Sequence, residues 1–315
     1  MTTVPVILDT DIGDDCDDTW ALAMLLRLPE LDLKLVTTAT GDTTYRAKIV
    51  ARLLQTAGSD DKPIGIGIPN TGRPTPPRQT GWVEGYTLDR YPGLIHPDGV
   101  QAIIDTIMMS SEPITLIAIG PLSNIAEALR REPRIADRTK LVGMHGSFNW
   151  HISTNLSLSL KPGGRPEWNV VCDIPAAQAV FAAPWLSVTI TPLDTCAHIV
   201  LDGERYQRLL ASHDPLARAV IENYRIWAAT HSEGCDPATR SSVLFDCVAI
   251  HLAHTTRWLQ MRRLNVLVDT TGNTVESAQG RPVHVAMEWE NKEAFEDALL
   301  NCLLDPSAHF QNHQG

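Results

Sequence analysis

Val4-Pro-Val-Ile-Leu-Asp-Thr-Asp-Ile-Gly-Asp-Asp-Cys-Asp-Asp18, running on into Thr19-Trp-Ala-Leu-Ala-Met-Leu-Leu-Arg-Leu28, sets a short apolar run before a burst of acid and then an amphipathic stretch. An apolar run of strand length followed by a helix-period pattern predicts a strand and its crossover helix. The same alternation returns in Leu33–Thr37 before Tyr45–Ala57 and in Ile114–Ile119 before Leu122–Arg130. Further strand-like runs lie at Lys140–Met144, Leu186–Ile190 and Leu264–Val268, and helices are predicted over Ala176–Ala182, Pro215–Ala229, Ser241–Ala253 and Lys292–Leu304. This rhythm predicts an α/β fold with an open, largely parallel central sheet flanked by helices. No repeat or linker divides the chain, so residues 1–315 are read as a single domain. Two stretches interrupt the pattern and read as long loops, either part of a binding site or surface decoration: Pro69–Gly99 and Gly146–Pro166.

The acidic burst places six carboxylates (Asp9, Asp11, Asp14, Asp15, Asp17 and Asp18) at the carboxyl end of the first strand. In an open α/β sheet that end is where ligands bind. Like charges held so close need a neutralising cation or retained protons. Capping of the following helix accounts for Asp17 and Asp18 but leaves the other aspartates unexplained. Every donor on offer is a hard oxygen, which favours calcium or magnesium over zinc or copper. The cluster alone is compatible with either ion.

The formal net charge of −11 argues against a surface built to hold a phosphate backbone, so nucleic acid is not an expected partner. With 43% hydrophobic residues over 315 positions the chain can bury a large core, yet no window has the length of a membrane span. Six scattered cysteines form no Cys-x-x-Cys pair, and no basic leader precedes Val4. A cytoplasmic protein with reduced thiols is expected.

Leu8-Asp-Thr-Asp-Ile-Gly13 followed by Asp17-Asp-Thr-Trp-Ala-Leu22 resembles the opening signature of the inosine-uridine nucleoside hydrolase family. The gap between the glycine and the Asp-Asp pair is two residues longer than the family's commonest form. Anchored on the helix, Asp17 and Asp18 match the pair; counted from the glycine, Asp15 and Cys16 would. The helix anchor is preferred because a thiol cannot supply a hard-metal oxygen. Four later stretches resemble the family in the same order: Val36-Thr-Thr-Ala-Thr-Gly-Asp42, Pro113-Ile-Thr-Leu-Ile-Ala-Ile-Gly-Pro-Leu-Ser-Asn124 with its continuation to Asp137, Pro166-Glu-Trp-Asn169, and Val243-Leu-Phe-Asp246.

The resemblance implies the nucleoside hydrolase fold and calcium-dependent hydrolysis of the N-glycosidic bond of ribonucleosides, with a place in purine or pyrimidine salvage and a homo-oligomeric (dimeric or tetrameric) state. It implies that Asp11, Asp18, Asp246 and the Ile119 carbonyl hold Ca2+, with Asp15 as a further ligand, and that Asp11 is the general base. Asp17, Asp42, Glu167 and Asn169 would grip ribose hydroxyls, a contact set that selects steeply against a deoxy sugar. The family's usual histidine before the late aspartate is replaced by Phe245. A phenyl ring donates no proton, so Phe245 and Trp82 are expected to stack on the base, as in the purine-specific branch.

The leaving-group acid stays unassigned: His151 and His231 fall in loops, while His96, His145, His251 and His254 read as structural, and Trp150, Trp168, Tyr224 and Trp227 as core or rim. A haloacid-dehalogenase-type phosphatase also opens with Asp-x-Asp, but its motif continues with Thr or Val where this chain has Gly13. A non-catalytic nucleoside- or ribose-binding protein on the same scaffold, or a hydrolase of another ribosyl compound, remains the alternative.

Overall fold

The computed structural model describes residues 3–69, 76–151, 159–160, 164–230 and 236–304. Its strands are β1 (Val4–Thr10), β2 (Leu31–Thr38), β3 (Ile64–Ile66), β4 (Ile95–His96), β5 (Ile114–Ala118), β6 (Thr139–Met144), β7 (Trp150–His151), β8 (Ser159–Leu160), β9 (Ser187–Thr191), β10 (Leu259–Val268), β11 (Thr274–Glu276) and β12 (Arg281–Trp289). Ten of them make one sheet in the order β11-β10-β12-β9-β6-β5-β1-β2-β3-β4, and β7 pairs with β8 as a separate hairpin. Every neighbour pair from β12 to β4 is parallel; β10 runs antiparallel to β12 and β11. The α/β architecture with a largely parallel sheet is therefore the one the alternation predicted.

Parallel strands bury both faces, so β1 reads as a continuous apolar run instead of an alternating one. Val6 and Leu8 enter one core and Ile7 the other. The first core is covered by helices Asp17–Arg27, Thr43–Thr56, Pro215–Ala228, Phe245–Leu252 and Lys292–Leu304, the second by Gly99–Met109, Ser123–Arg131 and Ile174–Ala182. No helix of the described residues is long and apolar enough to cross a membrane.

The topology fixes where a site can form. From β1 the chain moves outward through β2, β3 and β4, then returns to lay β5 on β1's other side. That reversal opens a crevice at the carboxyl ends of β1 and β5. The loop carrying Asp11 leaves one strand there and Ile119 leaves the other, with the Ile119 amide donating to the Asp9 carbonyl at 2.9 Å.

Several elements differ from expectation. The helix predicted from Ser241 begins at Phe245, because the amides of Ser241 and Leu244 donate to the carbonyls of Leu201 and Ile199 (2.8 and 2.9 Å). The long stretch Pro69–Gly99 holds two 3-10 turns, Thr80–Val83 and Leu88–Arg90, as well as β4. The helix Gly99–Met109, capped by the Asp98 carboxylate accepting from Gln101, was not anticipated, nor was β12.

Candidate active site

Thr10 ends β1, and the turn that follows is shaped by Gly13, whose φ of +108° belongs to glycine. The next helix starts at Asp17 with Cys16 as an N-cap that makes no side-chain cap bond. Asp17 and Asp18 therefore do not cap the helix; they project from its first turn. Asp246 lies in the first turn of the helix Phe245–Leu252, and its amide donates to Asp17 Oδ2 at 3.1 Å. One carboxylate oxygen each from Asp17, Asp18 and Asp246 lies within 4.8 Å of the others, and all three side chains are buried. The helix-anchored pair thus meets Asp246, while Cys16 turns its sulfur to Ser242 Oγ at 3.0 Å.

These carboxylates line a cavity of about 380 Å³ together with Asp11, Asp14, Asp15, Ile119, Glu167, Asn169 and Phe245. Burial, reinforced by neighbouring acids, pushes Asp17, Asp18 and Asp246 well above the ordinary carboxylate range. Burial raises Asp11 to about 7 against the attraction of Arg46. Arg46, itself buried, donates to the carbonyls of Thr40 (2.8 Å), Ile12 (2.9 Å) and Asp11, and so braces the turn from behind. Gly120 lets β5's exit approach: a Cβ there would stand 2.8 Å from the Asp11 nitrogen and 2.9 Å from its Oδ1.

Glu167 caps the short helix Trp168–Cys172, accepting from the amides of Asn169 (2.7 Å) and Val170 (3.2 Å), and also takes the Gly146 amide at 3.2 Å. Burial nevertheless raises its carboxyl to about 7. Asn169 Nδ2 donates to the carbonyls of Ile119 (3.2 Å) and Met144 (3.1 Å), which locks the amide at the cavity wall. Asp15 Oδ1 accepts from the Cys16 amide at 2.6 Å. Behind the cluster, the buried Asp9 carboxyl receives Thr37 Oγ1 (2.5 Å) and Asn124 Nδ2 (2.8 Å), and burial raises it to about 6.

Two expected binding residues do not reach the cavity. Asp42 is exposed and caps the helix Thr43–Thr56, accepting the Tyr45 amide at 2.8 Å, so its carboxylate is committed to the backbone. Trp82 is 1% exposed within the core, with Nε1 3.4 Å from Glu222 and the Arg52 guanidinium over its ring at 4.7 Å; its faces are not offered to a base. Phe245 does line the cavity, and so do Trp227 and Trp168, which the sequence reading had placed in core or rim. Trp227 Nε1 donates to the Asp14 carbonyl at 2.9 Å.

Among the described residues no histidine lines the cavity. His145 is buried against the Gly120 carbonyl (3.2 Å) and pushed down to about 4 by burial; His251 is held by the Arg257 carbonyl (2.8 Å) and shifted likewise. The side chains of Trp150 and His151, and all of His231, lie outside the described residues. Sequence reasoning assigned no role to Asp14, Arg78, Arg165, Met144 and Leu193. The available signal was positional: Arg78 and Arg165 sit in the two stretches read as long loops.

Fold and site together define an α/β enzyme whose acid-lined cavity opens at the switch point of a parallel sheet. A family model described as inosine-uridine preferring nucleoside hydrolase matches residues 6–297, and the chain belongs to that family. The non-specific ribonucleoside hydrolase RihC of Klebsiella pneumoniae is 32% identical over 234 residues, 70% of this chain and 72% of that protein. The inosine-uridine preferring nucleoside hydrolase of Crithidia fasciculata is 32% identical over 229 residues, 69% of each chain. Among solved structures, the plant nucleoside hydrolase PpNRh1 superposes with a TM-score of 0.77 at 22% identity, over 96% of this chain and 99% of that one. The inosine-uridine preferring nucleoside hydrolase of Bacillus anthracis gives 0.73 at 20% identity, over 95% and 100%.

Proposed function

We propose that this chain, acting as one catalytic domain, is a calcium-dependent hydrolase of the N-glycosidic bond of ribonucleosides. The observation that carries this reading is the meeting of Asp17, Asp18 and Asp246, from the chain's first loop and from a helix more than two hundred residues later, in one cavity with Asp11. Carboxylates buried that closely repel one another, and a hard divalent ion fits an all-oxygen donor set of this kind. Asp11, Asp18, Asp246 and the Ile119 carbonyl are the proposed ligands, with Asp15 lining the same cavity. Bound there, calcium would supply a seat for sugar hydroxyls and lower the pKa of a water molecule.

The chain's own side chains account for the remaining chemistry. Asp11 accepts the proton as water adds to C1′ of the sugar, a role that its place at the end of β1 and its buried carboxyl support. Asp17, Glu167 and Asn169 hold the ribose hydroxyls; the latter two are fixed by backbone bonds and need no rearrangement. A deoxy substrate leaves such buried groups without a partner, which costs about 10⁴-fold or more in selectivity. Phe245 and Trp227 offer aromatic surface to the base. A screen of purine and pyrimidine ribonucleosides for ribose release tests the reading. Release in calcium is the expected result, and binding of nucleosides without ribose release over hours would overturn catalysis in favour of a binding protein.

A further inference from the structure

Breaking the bond between C1′ and the base leaves an electron pair on a ring nitrogen, and Phe245 can neither protonate nor neutralise it. The geometry points to Arg78 as the group that stabilises the departing base, its guanidinium donating hydrogen bonds to the base as the bond breaks. This inference rests on the nucleoside hydrolase reading and adds the residue that activates the leaving group.

Two cations line the cavity among the described residues, Arg78 and Arg165, and their surroundings separate them. Arg165 attracts the carboxylate of Glu167, at the end where Asn169 also lies. Arg78 attracts Asp14 and Asp15 instead, and the Asp14 carbonyl receives the indole N–H of Trp227. Arg78 therefore sits by the contact between Asp14 and Trp227, whereas Arg165 sits by Glu167, one of the residues assigned to the sugar. A guanidinium carries five N–H donors in a fixed fork and can serve more than one acceptor.

Arg78 is also held in place before any substrate arrives. Its amide donates to the Gly13 carbonyl at 3.3 Å. The adjacent, fully buried Gln79 is tied on three sides: its amide to Tyr45 Oη (2.7 Å), its Nε2 to the Asp15 carbonyl (2.6 Å), and its Oε1 to Asn223 Nδ2 (2.8 Å). Asn223 in turn takes Thr19 Oγ1 at 3.1 Å, linking the segment to the helix that carries Asp17 and Asp18. The backbone that carries Arg78 is thus fixed, and donors borne on a fixed segment act on developing charge with less reorganisation.

The step balances as follows. The water oxygen bonds to C1′ while its proton passes to Asp11. The C1′–N bond breaks with its pair going to the base, which departs as an anion held by Arg78 and takes a proton from solvent. Asp11 returns its proton to solvent, and the products are ribose and neutral base.

The test is steady-state kinetics of the full-length, calcium-loaded wild type, Arg78→Ala and Arg78→Lys on inosine, uridine and p-nitrophenyl riboside, whose phenolate leaves without assistance. Arg78→Ala should lower kcat on the nucleosides by about 100-fold but on p-nitrophenyl riboside by less than about threefold, with Arg78→Lys between wild type and Arg78→Ala. Unchanged melting of both variants separates this from misfolding, since the anchoring bonds use the Arg78 backbone and Gln79. Equal losses on all three substrates, or unchanged nucleoside turnover, would overturn the role of Arg78 alone. A wild type that releases ribose from none of them would overturn the parent reading and this inference with it.

Discussion

The cavity has two unlike walls. One is made of side chains at the ends of regular elements: Asp11 after β1, Ile119 after β5, Asp17 and Asp18 in a helix's first turn, and Asp246 in another's. The other is made mostly of loop residues, Pro76 and Arg78 from one long connection and Arg165 from the second, joined by Trp227 of the helix Pro215–Ala228 and by the exposed Trp168. The first wall holds charges that must be positioned to a fraction of an ångström, and rigid elements provide that. On the proposed function the second would meet the variable part of a substrate, where loops on a fixed scaffold permit change. Water activation then belongs to the first wall and contact with the base to the second.

Asp11→Asn should break the first wall most completely, lowering kcat by about 10³-fold on every substrate while leaving melting intact. Comparable activity in that variant would remove Asp11 from the mechanism. A change on the second wall should be gentler: Trp227→Ala is expected to raise KM for nucleosides by roughly 3- to 10-fold, with little effect on p-nitrophenyl riboside. A kcat loss as large as that of Asp11→Asn would erase the distinction between the walls.

Stability against pH sharpens the same contrast. Asp11 and Glu167 sit at about 7 in the fold, above their values of 3.8 and 4.5 in an unfolded chain. The folded, metal-free protein therefore binds more protons than the unfolded chain near neutrality, and its stability falls as pH rises through 7. Between pH 8 and 6.5 chelator-stripped protein should gain about 1–3 °C in Tm, the raised carboxyls outweighing the buried His145 and His251, which begin to oppose the trend as the unfolded imidazoles protonate toward 6.5. The calcium-loaded protein should lose the Asp11 share of this slope, since the ion keeps that carboxylate ionised; identical slopes would deny that the acids meet a cation. The smallest change belongs to Asp42→Ala, which should cost about 1 kcal/mol of stability as a lost helix cap and leave kcat within about twofold. A large KM effect there would return Asp42 to the sugar site.

The positions of Asp11, Asp17 and Asp18 were legible in the sequence because local rules fix them, whereas Ile119 and Asp246 entered through the family resemblance. A strand delivers Asp11, a helix start presents Asp17 and Asp18, and the turn between them is announced by Gly13. Asp42 and Trp82 were misplaced because a motif position shows that a residue lies near a strand end, not where its side chain turns. Asp42 found a helix amide, and Trp82 found the core. Trp227 had no local signature, and Arg78 only its place in a long loop. Their places depend on Gln79 reaching across to Asn223 and on an indole reaching the Asp14 carbonyl, contacts between segments far apart in the chain.

Calorimetric titration of calcium into chelator-stripped wild type and Asp246→Asn tests the account most directly. One site per chain in the wild type, lost in Asp246→Asn while the stripped variant melts at least as high as the stripped wild type, is the result that the buried, mutually repelling carboxylates require. A wild type that takes up no divalent ion, or an Asp246→Asn variant that binds calcium as tightly, would contradict it.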